Sequence, residues 1–164
     1  VQGDAYKKQF NFKHLQLLFM NLYGPGDDFN NESCHVIPAI INKINYAKKN
    51  KKKFIKLFGS GNQLREFLYV DDAANAIIKS INCSLDYNRL NIGTGKPITI
   101  KVLSNKIKKI MKFNGNIVWN KNTESGIHKK NFNVSFAKNK LRFFDKVNLD
   151  EGLIKTVKWY YEKN

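Results

Sequence analysis

The sequence predicts an α/β chain in which strands and helices alternate, and three observations carry that prediction. Residues 14–21 are nearly continuous apolar and run into Tyr23-Gly24-Pro25-Gly26, the pattern of a buried strand ending in a sharp loop. Behind Pro38, the residues Ile40, Ile41, Ile44 and Ala47 recur at helical spacing, and further on Ile100, Leu103, Ile107, Ile110 and Met111 share one helical face. Short apolar runs bounded by glycine turns lie between these helices and supply further strands.

In chain order, the first strand is followed by an acidic, Asn-rich loop over residues 27–32. Pro38 then sits where a first helical turn tolerates it, and the helix frays into the lysine-rich run 48–53. Residues 54–58 and 66–70 read as two strands flanking Gly59-Ser60-Gly61, and Asp71 or Asp72 caps a helix over 73–81. Residues 90–95 form a short strand closing in a glycine turn, Thr99 caps the next helix, and 117–119 give one more strand. The pattern Asn148-x-x-Glu151 opens a last helix with Leu149, Leu153, Val157 and Tyr160 on one side. A buried strand with no partner before it, and the lack of any glycine-rich dinucleotide fingerprint, predict a sheet that continues into a preceding segment.

Composition narrows the class. At 164 residues the chain is about one domain, and its apolar share of 42% is that of a globular protein, without heptads or repeats. No apolar run approaches the ~20 residues a membrane helix needs, so no membrane partner is expected. Cys34 and Cys83 fit neither a metal spacing nor a disulfide framework, which predicts free thiols and a cytoplasmic location. The net charge of +16 raises nucleic-acid binding as an alternative. Against it, 26 of the 29 basic residues are Lys and three are Arg, and 22 residues are Asn. Lys, Asn and Ile rising together reflect nucleotide composition acting on surface positions, and phosphate and base readers favour the guanidinium fork. The expectation is therefore no nucleic-acid partner, with a mild pull on an anionic substrate.

Five blocks stand in order: Asn21-Leu22-Tyr23-Gly24-Pro25, Cys34-His35-Val36-Ile37-Pro38-Ala39, Phe58-Gly59-Ser60-Gly61, Arg65-Glu66-Phe67-Leu68-Tyr69-Val70-Asp71-Asp72, and Asn91-Ile92-Gly93-Thr94-Gly95. Together they resemble the extended short-chain dehydrogenase/reductase family. The His-Val-Ile-Pro segment followed by Arg65–Asp72 is similar to its GDP-L-fucose synthase branch, and the resemblance runs from about Tyr6 to the C-terminal helix. It implies the C-terminal part of a Rossmann-type fold, namely the last strands of the parallel sheet plus a small α/β substrate domain. Residues 1–164 would be one substrate-binding region, without the N-terminal half that carries the cofactor fingerprint, the Tyr-x-x-x-Lys hydride-transfer pair and a cysteine base. The implied reaction converts GDP-4-keto-6-deoxy-D-mannose to GDP-L-fucose by epimerisation at two carbons beside the ketone and reduction with NADPH. A homodimer is implied for the intact protein. Another nucleotide-sugar epimerase or dehydratase of the family remains the alternative.

The resemblance also assigns residues. His35 would be the catalytic acid and would lie near the nicotinamide; imidazole suits proton delivery because histidine titrates near neutral pH. A purely structural hydrogen bond at the helix start is the other reading of that histidine. Phe19, Met20, Asn21 and Leu22 would bind cofactor, at the strand end where open α/β sheets hold ligands. Arg65 would grip the diphosphate or ribose, the alternative being a surface ion pair with Glu66 or Asp71. Lys43, Phe58, Ser125 and Lys130 complete the expected substrate contacts. Phe58 stands where the family often has tryptophan, and Ser125-Gly126-Ile127 and Asn133-Val134 replace the family's Asp-Gly-Thr and Asp-Val.

Overall fold

The computed structural model describes residues 2–30, 34–81, 83, 89–120 and 133–163, together with the backbone of 129–130. Helix α1 (Gln2–Phe10) leads into strands β1 (Gln16–Phe19) and β2 (Asn21–Tyr23). Then come α2 (Val36–Lys49), β3 (Phe54–Phe58), β4 (Leu64–Arg65), β5 (Phe67–Tyr69) and α3 (Val70–Ile81). The chain continues through β6 (Arg89–Ile92), β7 (Ile98–Thr99), α4 (Ile100–Ile110) and β8 (Asn116–Asn120), and ends with β9 (Lys129–Lys130), α5 (Ser135–Lys140) and α6 (Leu149–Lys163).

Strand pairing is parallel between β1 and β6, between β2 and β5, and between β3 and β8. This is the α/β architecture read from the sequence, with crossover helices joining parallel strands. Strand β4 pairs antiparallel with β7 and parallel with β9, with Arg65 opposite Ile98 on one side and Lys130 on the other.

The continuous strand expected over 14–21 is two strands with different neighbours. Met20 N–H donates to the Ile92 carbonyl (3.0 Å), after which β6 gives way to its glycine turn and residues 21–23 pair with β5 instead. Nor is β1 fully buried: Gln16 and Leu18 are exposed, because among the described residues β1 pairs only with β6. A second difference concerns residues 66–70. The strand there is β5 alone, and α3 already begins at Val70, so Asp71 and Asp72 lie inside its first turn and neither caps it. Asp72 is buried and accepts the Lys146 N–H (3.1 Å) and the Val147 N–H (3.0 Å), which ties the segment before α6 to α3.

The helices follow their sequence signals. In α2, Ile40, Ile41, Ile44 and Ala47 are buried as one stripe, and the helix stops at Lys49 with Asn50 as its C-cap. Thr99 caps α4 by accepting the Val102 N–H at 3.2 Å, and Asn148 Oδ1 accepts the Glu151 N–H at 3.0 Å at the start of α6. None of the described helices is long and apolar enough to cross a membrane.

Two cores lie on opposite sides of β5. Phe67 and Tyr69 join the larger one, which packs α2, β3, α4 and α6 together; Leu68 points the other way, into a smaller core with Ala73, Ala76, Leu90, Ile92 and Phe143. Strand β3 alternates, burying Ile55 and Leu57 and leaving Phe54, Lys56 and Phe58 outside. The turn after it requires glycine. Gly61 has φ 76°, and a Cβ there would lie 2.7 Å from the Trp119 ring. The Lys101 N–H donates to the Gly61 carbonyl at 2.8 Å and the Ile100 N–H to the Gln63 carbonyl at 3.1 Å, so this turn also fixes where α4 begins.

Gly152, buried in α6, presses against the Tyr23 hydroxyl. Gly152→Ala is expected to push Tyr23 out of place and cost about 1–3 kcal/mol, read by chemical denaturation of the full-length protein.

Candidate functional site

Two clefts open side by side at the C-terminal end of β2. The first, about 470 Å³, is lined by residues 19–27 together with His35 and Val70. The second, about 350 Å³, is walled by Phe58, Gly59, Gln63, Arg65 and the start of α2. Asn21, Leu22, Tyr23, Asp27 and His35 line both. The two form one continuous groove with His35 on the shared wall.

Of the residues singled out from sequence, Phe19, Met20, Asn21, Leu22 and His35 come together in the first cleft. Asn21 Nδ2 donates to the Glu66 carbonyl at 2.8 Å, so its side chain clamps β2 to the residue before β5. His35 is the N-cap of α2 but makes no side-chain cap bond, and its ring is 78% exposed. Its backbone carbonyl accepts the Ala39 N–H at 2.9 Å.

Arg65 and Phe58 stand on the second cleft. Arg65 is half-buried, and its Nη1 donates to the Leu64 carbonyl at 2.8 Å. Among the described residues no carboxylate pairs with it, so the ion pair with Glu66 or Asp71 is not formed. Glu66 is fully buried, facing the other way: its Oε1 accepts the Gly95 N–H (2.7 Å) and the Thr94 hydroxyl (3.3 Å).

Lys43 lies outside both clefts but reaches their rim. Its Nζ donates to the Lys56 carbonyl at 2.9 Å and sits 4.5 Å from the centroid of the Phe58 ring, and burial lowers its pKa from the ordinary lysine value. Lys130 is placed by its backbone directly beside Arg65 in β9. Ser125 lies outside the described residues. No group of three or more His, Cys, Asp or Glu that could hold a metal occurs among the described residues.

Sequence reasoning missed Tyr23 and Asp27. Tyr23 is buried edge-on against Phe67 and Tyr69, and desolvation, followed by Tyr69 and nearby carboxylates, raises its phenol well above the ordinary range, so it stays neutral. Asp27 is folded back by a turn in which its N–H donates to the Gly24 carbonyl at 3.3 Å. Its side chain is 13% exposed; Oδ1 accepts the Asp28 N–H at 2.9 Å and lies 3.9 Å from His35 Nδ1, while Oδ2 is buried without a partner. Burial pushes the Asp27 carboxyl above the usual carboxylate range, outweighing the Asp28 N–H and His35, which pull it down. An acidic residue in a loop of Asp and Asn carries no sequence mark that would separate it from its solvated neighbours.

The model of the NAD dependent epimerase/dehydratase family matches residues 2–93. The chain belongs to that family. It is 37% identical, over 97% of its length and 48% of the relative's, to the "Probable GDP-L-fucose synthase 1" of Oryza sativa subsp. japonica. A GDP-L-fucose synthetase from Naegleria fowleri bound to NADP superposes with TM-score 0.89 at 26% identity, over 99% of this chain and 52% of that one. The UDP-glucose 4-epimerase of Thermotoga maritima, solved with UDP-glucose, superposes with TM-score 0.86 at 26% identity, over 98% of this chain and 50% of that one. The chain spans about half the length of the curated relatives it matches.

The buried carboxylate gives a signed pH dependence. Because the folded state raises the Asp27 pKa, protonated Asp27 favours folding, and that contribution is lost as pH rises from about 4 through the folded value. Asp27→Asn carries no such loss. Its melting temperature relative to wild type is expected to climb between about pH 4 and pH 7, measured by calorimetry on the full-length protein.

Proposed function

We propose that the full-length protein converts GDP-4-keto-6-deoxy-D-mannose to GDP-L-fucose, by epimerisation at C3 and C5 and NADPH-dependent reduction at C4, with residues 1–164 forming its substrate-binding region. The observation that carries this reading is the position of His35 on the wall common to the two clefts. An acid there meets a sugar that reaches one cleft while its nucleotide occupies the other. The naming of the curated relatives as GDP-L-fucose synthases supports the substrate choice.

The first cleft fits a nicotinamide. Phe19, Met20 and Leu22 give it an apolar wall, and the Asn21 side chain that holds β2 to Glu66 keeps that wall in place. Bound NADPH supplies the hydride for C4. His35 delivers a proton to the carbon being epimerised, from the face turned toward α2; the opposing base and the hydride-transfer pair belong to the segment that carries the dinucleotide fingerprint.

In the second cleft the Arg65 guanidinium has donors to spare for a diphosphate. Phe58 stacks on the base with Lys43 against its ring, and Ser125 and Lys130 are read as further substrate contacts from their place in the sequence. A homodimeric, cytoplasmic enzyme without nucleic-acid binding belongs to the same reading.

The second reading is a different nucleotide-sugar epimerase, favoured by Phe58, which offers a base less stacking area than tryptophan and no N–H. Incubation of the full-length protein with GDP-4-keto-6-deoxy-D-mannose and NADPH should yield GDP-L-fucose with loss of NADPH absorbance. Turnover of UDP-glucose in its place would overturn the proposal. Within an active enzyme, His35→Asn is expected to lower kcat on the order of 10²–10⁴-fold. Arg65→Ala should raise KM roughly 10–100-fold with kcat held, as loss of one charged hydrogen bond predicts.

A further inference from the structure

Asp27 is an expensive residue to keep where it stands. A carboxylate oxygen buried without a partner costs stability, and an acidic loop residue could as easily face solvent, as the neighbouring Asp28 does. The turn at Gly24 instead holds Asp27 inward, between both clefts, with its carboxylate against the imidazole of His35.

That imidazole is not held by its own helix. His35 is the N-cap of a 14-residue helix but makes no side-chain cap bond. Tyr23, Asp27 and Arg65 line the second cleft with His35, and Cys34 precedes it in the chain. The tyrosine stays neutral, and burial keeps the Cys34 thiol neutral as well. Among the described residues Asp27 is the carboxylate placed against the ring, with Oδ1 3.9 Å from Nδ1.

We propose that Asp27 is the positioning residue for His35: it takes the Nδ1–H of the imidazole, which turns Nε2 toward the cleft as the proton-donating atom. This rests on the reading of His35 as the acid of the epimerisation. The 3.9 Å separation is about 1 Å longer than a hydrogen bond, and a ring 78% exposed can swing that far when a ligand fills the groove. The proton bookkeeping closes. The Nε2–H proton passes to the substrate carbon, whose carbanion electron pair forms the new C–H bond, and the N–H electron pair stays on Nε2. The neutral ring left behind keeps its proton on Nδ1, against Asp27, which is the tautomer the carboxylate selects. Reprotonation from solvent at Nε2 restores the acid.

The test uses the full-length protein with ¹⁵N-labelled histidine, saturated with NADP and GDP so that the groove is filled, comparing wild type with Asp27→Ala and Asp27→Asn. In wild type the neutral His35 ring should carry its proton on Nδ1; in Asp27→Ala the ring nitrogens should shift toward the Nε2–H form, and in Asp27→Asn, which keeps an acceptor without charge, the change should be smaller. In active enzyme, Asp27→Ala should lower kcat roughly 10–100-fold with KM within about twofold, while Asp27→Asn melts no lower than wild type at neutral pH. Identical ring protonation in all three proteins, an unchanged kcat in Asp27→Ala, or a fall in the melting temperature of Asp27→Asn that tracks its activity loss would each overturn the proposal. If wild type does not turn over the GDP-keto-sugar, it is the substrate reading that fails, and the ring ¹⁵N shifts still decide the role of Asp27.

Discussion

Strand β5 is three residues long, and the rest of the molecule is arranged about it. All of Phe67, Leu68 and Tyr69 are buried, so the strand is solvated on neither face, and its alternation sends Leu68 into one core and its neighbours into the other. A strand buried on both sides cannot slip register without placing the wrong side chain in each core. Its parallel pairing with β2 therefore holds Asn21, Leu22 and Tyr23 in fixed positions, and with them the floor of both clefts. The residues flanking β5 extend this hold. Glu66, before it, fastens the Gly93–Gly95 turn through its carboxylate and β2 through its carbonyl, and Asp72, after it, fastens the segment leading to α6.

What was legible in the sequence is what local chemistry decides. The stripe of α2, the Thr99 cap and the Asn148 cap each depend on residues within a turn or two of one another, and each stands as read. Long-range choices were not legible. Residues 14–21 look like one strand because every side chain suits a strand; the break at Met20 arises from where β6 ends, some seventy positions away by the register of the pairing. Asp72 reads as a helix cap because an acid before a helical stripe ordinarily is one, yet here the backbone of residues 146–147 competes for it and wins.

The same division applies to the groove. The motif blocks placed Phe19, Met20, Asn21, Leu22, His35, Phe58 and Arg65 around it, since strand ends and glycine turns mark where an α/β sheet opens. Arg65 stood out in a chain that otherwise uses lysine, and the structure leaves its guanidinium without a carboxylate partner among the described residues. Lys43 shows the limit of spacing arguments. Its place in α2 carries it outside both clefts, where it touches their lining only by way of the Phe58 ring. Asp27 had no sequence signal because what distinguishes it from Asp28 is a backbone turn and a burial, neither of which is a property of residue type.

Asp27 and His35 also show how stability and chemistry pull apart at one site. Considered for stability alone, each is poorly held: the carboxyl is desolvated with an oxygen unpaired, and the imidazole starts its helix without a side-chain cap bond. Considered together, each offers the other a partner, the ring a donor and the carboxylate an acceptor. The pairing is incomplete at 3.9 Å, and it completes only when the exposed ring turns inward. A ligand that presses the ring toward Asp27 gains that pairing energy as it binds; on the proposed role of His35 the groove then orders its acid at the moment the acid is needed, and a cost built into the free protein becomes part of the selectivity for whatever fills both clefts.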